Sequence, residues 1–216
     1  AEALFAINNT LNERSPEWCD FFVEAIGEFV LNGTPPRLQC NDEEAQWLID
    51  QIDHDGVTES MVELETMVRI IERAENTPDR LKNYVLAQVE REVLSGTGPT
   101  RCGGELSATH ISAAECRIIR RVIWASGGHG PAAVTRYDAE MLFRLKDATL
   151  AEENAAEWDD LFIDGEFTEP RGGKYFATIN PGNESKLADI ALAGGADVDA
   201  AYQAAQRNER RLLGGR

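Results

Sequence analysis

The residues of this 216-residue chain best suited to chemistry are the run Asp53-His54-Asp55-Gly56, the three histidines and the four cysteines. A twelve-residue calcium loop places carboxylates at positions 1, 3 and 5, a glycine at 6 and a bidentate glutamate at 12. With Gly56 at position 6, Asp53 and Asp55 fall at 3 and 5, but position 1 is Gln51 and position 12 is Val62. Both ends of the ligand set are missing. Asp53 and Asp55 are the candidate metal ligands the pattern leaves; the expectation is no specific metal site, with Gly56 serving as a left-handed turn residue. His54, His110 and His129 have no second His or Cys at i+3 or i+4, so a helical zinc pair is not expected either. None of them stands near a nucleophile motif such as GxSxG. Cys19, Cys40, Cys102 and Cys116 are far apart and form no CxxC pair, which suits reduced thiols in a cytosol rather than a disulfide framework. No catalytic or cofactor-binding residue is assigned.

Such residues need elements to hold them, and helices dominate the first three quarters of the chain. The segment Ala1–Ile7 returns at Ala139–Leu145 and, through Glu65, Met67, Val68 and Ile70, within Val62–Ile70. This is helix b of a recurring unit. A helix c follows each: Pro16–Asn32, Pro78–Leu94 and a start at Glu157-Trp158, aligned by Trp18, Leu81 and Trp158. A helix a precedes two of them, where Asn41–Ile49 aligns with Ser112–Ile119. The reading is a mainly α helical repeat bundle of three-helix units. Asn41 with Glu44, Ser60 with Glu63 and Ser112 with Glu115 have capping-box spacing, and Ser15-Pro16 and Thr77-Pro78 place a hydroxyl before a helix-opening proline. In Pro16–Asn32 the apolar residues Trp18, Phe21, Phe22, Ala25, Ile26, Phe29 and Val30 form a helical stripe, expected to be buried throughout. Trp18, Trp47, Trp124 and Trp158 are likewise expected to fill the core. Asn32-Gly33 and Ser95-Gly96 supply residues tolerant of the left-handed conformation that ends helices.

Charge and composition set limits. The net charge is −17, which disfavours nucleic acid and anionic membrane surfaces, and no apolar run reaches the length of a spanning helix. Residues 1–161 carry 30 acids against 14 bases, whereas residues 162–216 carry 8 against 7. The pattern changes at the same place. After Phe162 the chain reads Ile163-Asp164-Gly165-Glu166-Phe167, a two-residue hairpin signal in place of a continued helix c. Hence residues 1–160 are assigned to an all-α repeat domain, 161–206 to a small β-hairpin, strand and helix segment, and 207–216 to a tail. The chain opens at Ala1 inside an apolar pattern, as expected of a fragment or processed product.

Two resemblances follow from these residues. Residues 1–162, with SPEWCDFFVEAI, DEEAQWLIDQIDHDGVTESMVELETMVRII and ISAAECRIIRRVIWASGGHG, resemble an uncharacterised bacterial family of helical repeats. Its units look like tellurite-resistance-type helix bundles, with an Asp-Gly loop between helices a and b. That resemblance implies a fold and no activity. The EF-hand-like spacing around Gly56 adds the alternative of a degenerate calcium-binding module. LFIDGEFTEPRGGKYFATINPGNESKLADIALAGGADVDAAYQAAQ, residues 161–206, looks like the amino-terminal segment of an aldehyde dehydrogenase. This resemblance implies an opening hairpin, a strand ending at Ile179-Asn180, a strand Lys186–Ala191 and a helix starting near Ala196–Asp199. It also implies NAD or NADP as cofactor, but only for a complete enzyme, whose nucleophilic cysteine and cofactor domain lie downstream of the matched segment.

The function expected is a non-catalytic, cytoplasmic helical interaction module with a protein partner, carrying a truncated aldehyde-dehydrogenase-like segment. The alternative is the amino-terminal fragment of an NAD(P)-dependent aldehyde dehydrogenase, an oxidoreductase.

Overall fold

A computed structural model describes residues 1–53, 58, 60–101, 110–125, 135–150, 154–159, 161–163, 166–179 and 186–214. The chain is mainly helical, as its periodicity predicts. The helices are α1 (Glu2–Thr10), α2 (Pro16–Asn32), α3 (Asp42–Ile52), α4 (Met61–Arg73), α5 (Asp79–Ser95), α6 (Ala113–Ile123), α7 (Arg136–Ala148), α8 (Ala156–Asp159) and α9 (Gly195–Gly214). The strands are β1 (Leu161–Ile163), β2 (Glu166–Thr168), β3 (Tyr175–Ile179) and β4 (Lys186–Ala191).

Local chemistry explains most helix starts. The Asn41 side chain accepts from the amides of Glu43 and Glu44, and the Glu44 carboxylate accepts from the Asn41 amide at 3.0 Å, so two orphan donors of α3 are satisfied reciprocally. Ser112 and Glu115 do the same at the start of α6. Ser15 accepts from the Trp18 amide with Pro16 in the first turn of α2. Thr77 departs from expectation. Pro78, not Thr77, is the residue flanking α5, and the Thr77 hydroxyl is buried without a hydrogen-bond partner among the described residues. Gly96 takes the left-handed conformation at φ 70°, whereas Gly33 stays right-handed at φ −68°.

The described chain divides into two compact units: residues 1–109 with 117–148, and residues 110–116 with 149–216. In the first, α2 packs on α4, α5 on α7, and α3 on both α5 and α1. Phe22, Ile26, Leu48, Leu64, Met67 and Leu86 are among its fully buried side chains. Two polar clusters tie its elements together. Buried Asn8 donates to Glu63 of α4 at 3.2 Å and accepts from Arg14 at 2.8 Å and from the Trp18 indole at 3.3 Å. Arg121 of α6 forks onto Glu65 at 2.6 and 2.7 Å and Glu72 at 2.8 and 2.7 Å, both on α4. Those carboxylates, Glu72 first, raise the Arg121 pKa and hold it charged.

In the second unit, β1 pairs antiparallel with β2 in a register placing Ile163 opposite Glu166, and β3 pairs antiparallel with β4 from Tyr175 opposite Ala191. Asp164 and Gly165 lie outside the described residues. Asp197 in the first turn of α9 accepts from the amides of Arg171 at 2.9 Å and Gly194 at 2.7 Å, which hold its pKa below the usual aspartate value. The helix α9 runs past Gln206 to Gly214. Tyr175, Phe176, Ile190 and Leu192 remain exposed.

Two expectations are corrected. The α2 stripe is not buried throughout: Phe22, Val23, Ile26, Val30 and Leu31 enter the core, but Phe21 and Phe29 are 54% and 51% exposed. The physical reason is width. From Phe21 round to Val23 the apolar arc is wider than what α4, the helix most extensively packed on α2, covers. The tryptophans are all part-exposed rather than core. Trp18 spends its indole N–H on Asn8, and Trp47 lies edge-on to Phe5 with its ring 6.0 Å away.

Candidate functional site

Part of the sequence-derived candidates lies among the described residues. Asp53 directly follows α3, its amide donating to the Ile49 carbonyl at 2.7 Å, and Asp55 and His54 lie outside the described residues. Among the described residues no group of three His, Cys, Asp or Glu side chains is placed to hold a metal. Cys40 and Cys116 are buried and Cys19 is part-exposed, none of them in a disulfide. Cys102 and His129 lie outside the described residues. Burial, reinforced by Glu44 and Asp42, pushes the Cys40 thiol up to about 12, so it carries no thiolate at neutral pH. His110 is part-buried beside Ile111, six residues before Cys116.

What the helical unit does present is aromatic surface. On α2, Phe21, Ala25 and Phe29 follow at i, i+4 and i+8, so they form one outward row beside the buried one. Phe29 meets Trp47 of α3, ring centroids 5.2 Å apart, and Trp18 leans on Phe21 at 6.0 Å. Between α2 and α3 the surface sinks into a groove of about 280 Å3, lined by Phe29, Val30, Gly33, Thr34, Glu43, Glu44 and Trp47. A second, shallower hollow of about 420 Å3 continues along α3 past Trp47 to Asp42, Gln46, Asp50 and Arg80.

The rim is acidic. Glu44 is committed to its capping box and to the Thr34 hydroxyl at 2.6 Å, and Asp50 accepts from Gln46 at 2.6 Å. Glu43 makes no side-chain hydrogen bond or ion pair among the described residues. Arg80, the cation of the hollow, donates to the Gln46 amide oxygen at 2.8 Å. On the neighbouring edge of α2, Glu24 and Glu28 share Arg73 at 2.8 and 2.7 Å, and hydrogen bonds from Asn32 and Arg73 lower the Glu28 pKa.

A second outward aromatic lies on α7. Phe143 aligns with Phe5 of α1 and Val68 of α4, both core residues, yet it is 65% exposed. Periodicity alone places Phe21 and Phe29 in the core, and the structure leaves both half exposed.

No family model and no solved structure matches the chain, so the helical-repeat resemblance of residues 1–162 gains no support from known proteins. Over 63 residues, 28% of the chain, it is 41% identical to an aldehyde dehydrogenase of Aspergillus niger. That stretch spans 13% of the fungal protein's own length.

Proposed function

We propose that the helical part of this chain is a non-catalytic protein-interaction module built of repeated helix units, joined to a segment related to the amino terminus of an aldehyde dehydrogenase. The observation that carries the reading is the row Phe21, Ala25 and Phe29 with its groove against Trp47, an apolar surface whose two phenylalanines stay about half exposed. A row of this kind costs solvation free energy when left in water and marks a contact surface. The repeat reading draws support from a recurring contact, since helix c packs on the next helix b twice, as α2 on α4 and as α5 on α7. The free thiols at Cys19, Cys40 and Cys116 fit a reducing compartment, and we place the protein in the cytoplasm. Among the described residues no helix is long and apolar enough to cross a membrane.

A second reading, a fragment of an NAD(P)-dependent oxidoreductase, is favoured by the 41% identity over 63 residues. Under it the hairpin of β1 and β2, the β3–β4 pair and α9 would belong to the opening of a larger enzyme, and nicotinamide would bind only to domains beyond this segment. The deciding experiment is an assay of the purified chain with short aliphatic and aromatic aldehydes and either NAD or NADP. No turnover above buffer is expected. Cofactor reduction that vanishes on replacing one of the four cysteines by serine refutes the non-catalytic reading.

A further inference from the structure

The groove between α2 and α3 has a floor and a rim of different chemistry, and together they select one kind of occupant. Its floor is aromatic, Phe29 against Trp47 at 5.2 Å, with Val30 beneath. Its rim is anionic, with Glu43 and Glu44 of α3, and the shallower hollow beyond Trp47 adds Asp42 and Asp50, with Arg80 there engaged with Gln46. Phe21 extends the apolar row two turns toward the start of α2, about 12 Å of helix at 1.5 Å per residue. That length suits an apolar face of two to three helical turns.

Building on the interaction-module reading above, we infer that this groove docks a basic amphipathic helix of a partner protein. Such a helix lays its apolar stripe over Phe21, Phe29 and Trp47 while arginines or lysines along its flank meet Glu43 and Asp42. The chain already uses this mode internally. Helix α6 carries Arg117, Arg120 and Arg121 beside Ile118, Ile119 and Val122, and it is held on α4 by Arg121 forked onto Glu65 and Glu72. The groove offers the same pairing of apolar floor and carboxylates, with Glu43 uncommitted among the described residues. An acidic helix would be repelled, since a net charge of −17, the two rim glutamates and Asp42 and Asp50 in the adjoining hollow leave no attraction for it.

The test uses the full chain and three fluorescein-labelled peptides: a helix-forming Leu/Arg peptide with apolar residues at i, i+4 and i+7, its Leu/Glu counterpart, and a scrambled Leu/Arg peptide of equal charge. Fluorescence anisotropy should show saturable binding of the first peptide alone. Phe29→Ser should weaken it about tenfold or more, as expected for an anchor residue, and Glu43→Gln about threefold, with the Glu43 contribution shrinking at high salt. Circular dichroism melts, expected to show every variant folded at the assay temperature with Phe29→Ser melting a few degrees lower, separate lost contacts from lost folding. Equal binding of the scrambled peptide reduces the effect to net charge and overturns the inference. So does equal binding of the Leu/Glu peptide, an absence of binding by all three, or self-association of the chain that Phe29→Ser abolishes. None of these outcomes depends on aldehyde turnover, so the docking inference and the non-catalytic reading fail separately.

Discussion

Replacing Phe21 and Phe22 by alanine in turn sets two adjacent aromatics of α2 against each other. Phe22 is fully buried, with Phe5 edge-on at 5.1 Å and Trp18 at 6.3 Å. Truncating such a ring removes its transfer free energy and leaves a cavity that the helices cannot fully close, a cost of about 3–5 kcal/mol. Phe21 is 54% exposed and touches the Trp18 ring at 6.0 Å. Roughly half of the ~1.5–3 kcal/mol for burying an aromatic is realised there, so Phe21→Ala should cost about 1 kcal/mol. Urea unfolding followed by circular dichroism measures the difference. With an m-value of about 2 kcal/mol/M, the midpoint should fall by about 2 M for Phe22→Ala and by about 0.5 M for Phe21→Ala. Equal losses would show that Phe21 is as buried as Phe22. The outward aromatic row would then not exist, and the interaction reading would lose its carrying observation.

Three further outcomes follow from other parts of the structure. Arg121→Met should destabilise the helical unit by about 2 kcal/mol, because it removes two charge-assisted forks from a half-buried site; in a Glu65→Gln background the loss should shrink, and an unchanged loss in that double-mutant cycle would deny the pairing. The lowered pKa of Asp197 means that its grip on the Arg171 and Gly194 amides is present above the unfolded aspartate value and is lost as pH falls through the folded one, so those two amide resonances should titrate with a midpoint below 3.8. A midpoint at or above that value would contradict the contact. Cys40 and Cys116 should resist a thiol reagent until the chain unfolds, while Cys19 reacts in the native state; labelling a Cys102→Ser variant and mapping the modified peptides tests this, and rapid native modification of Cys40 would contradict its burial.

Local physics made the helices legible. A capping box needs only two side chains three residues apart, so Asn41 with Glu44 and Ser112 with Glu115 mark the starts of α3 and α6 without knowledge of anything distant. The same holds for the hairpin pairing of Ile163 with Glu166, which follows from a two-residue spacing, and for the strand Lys186–Ala191. Thr77 shows the limit of that reasoning. Its hydroxyl has the right spacing, but the helix begins one residue later and leaves it buried without a hydrogen-bond partner among the described residues.

Which face of an amphipathic helix is covered was decided by the fold alone. Periodicity gives the direction of an apolar stripe, not the number of neighbours that pack against it. In α2 the stripe is wide, one flank meets α4, and the other flank holds Phe21 and Phe29 against solvent. The groove with Trp47 likewise depends on α3 returning beside α2 through a long-range arrangement that no local spacing encodes. The polar ties obey the same division: Asn8 with Glu63 and Arg121 with Glu65 join residues 55 and 56 positions apart, and chain reversal between the helices, rather than residue type, brings them within hydrogen-bonding distance.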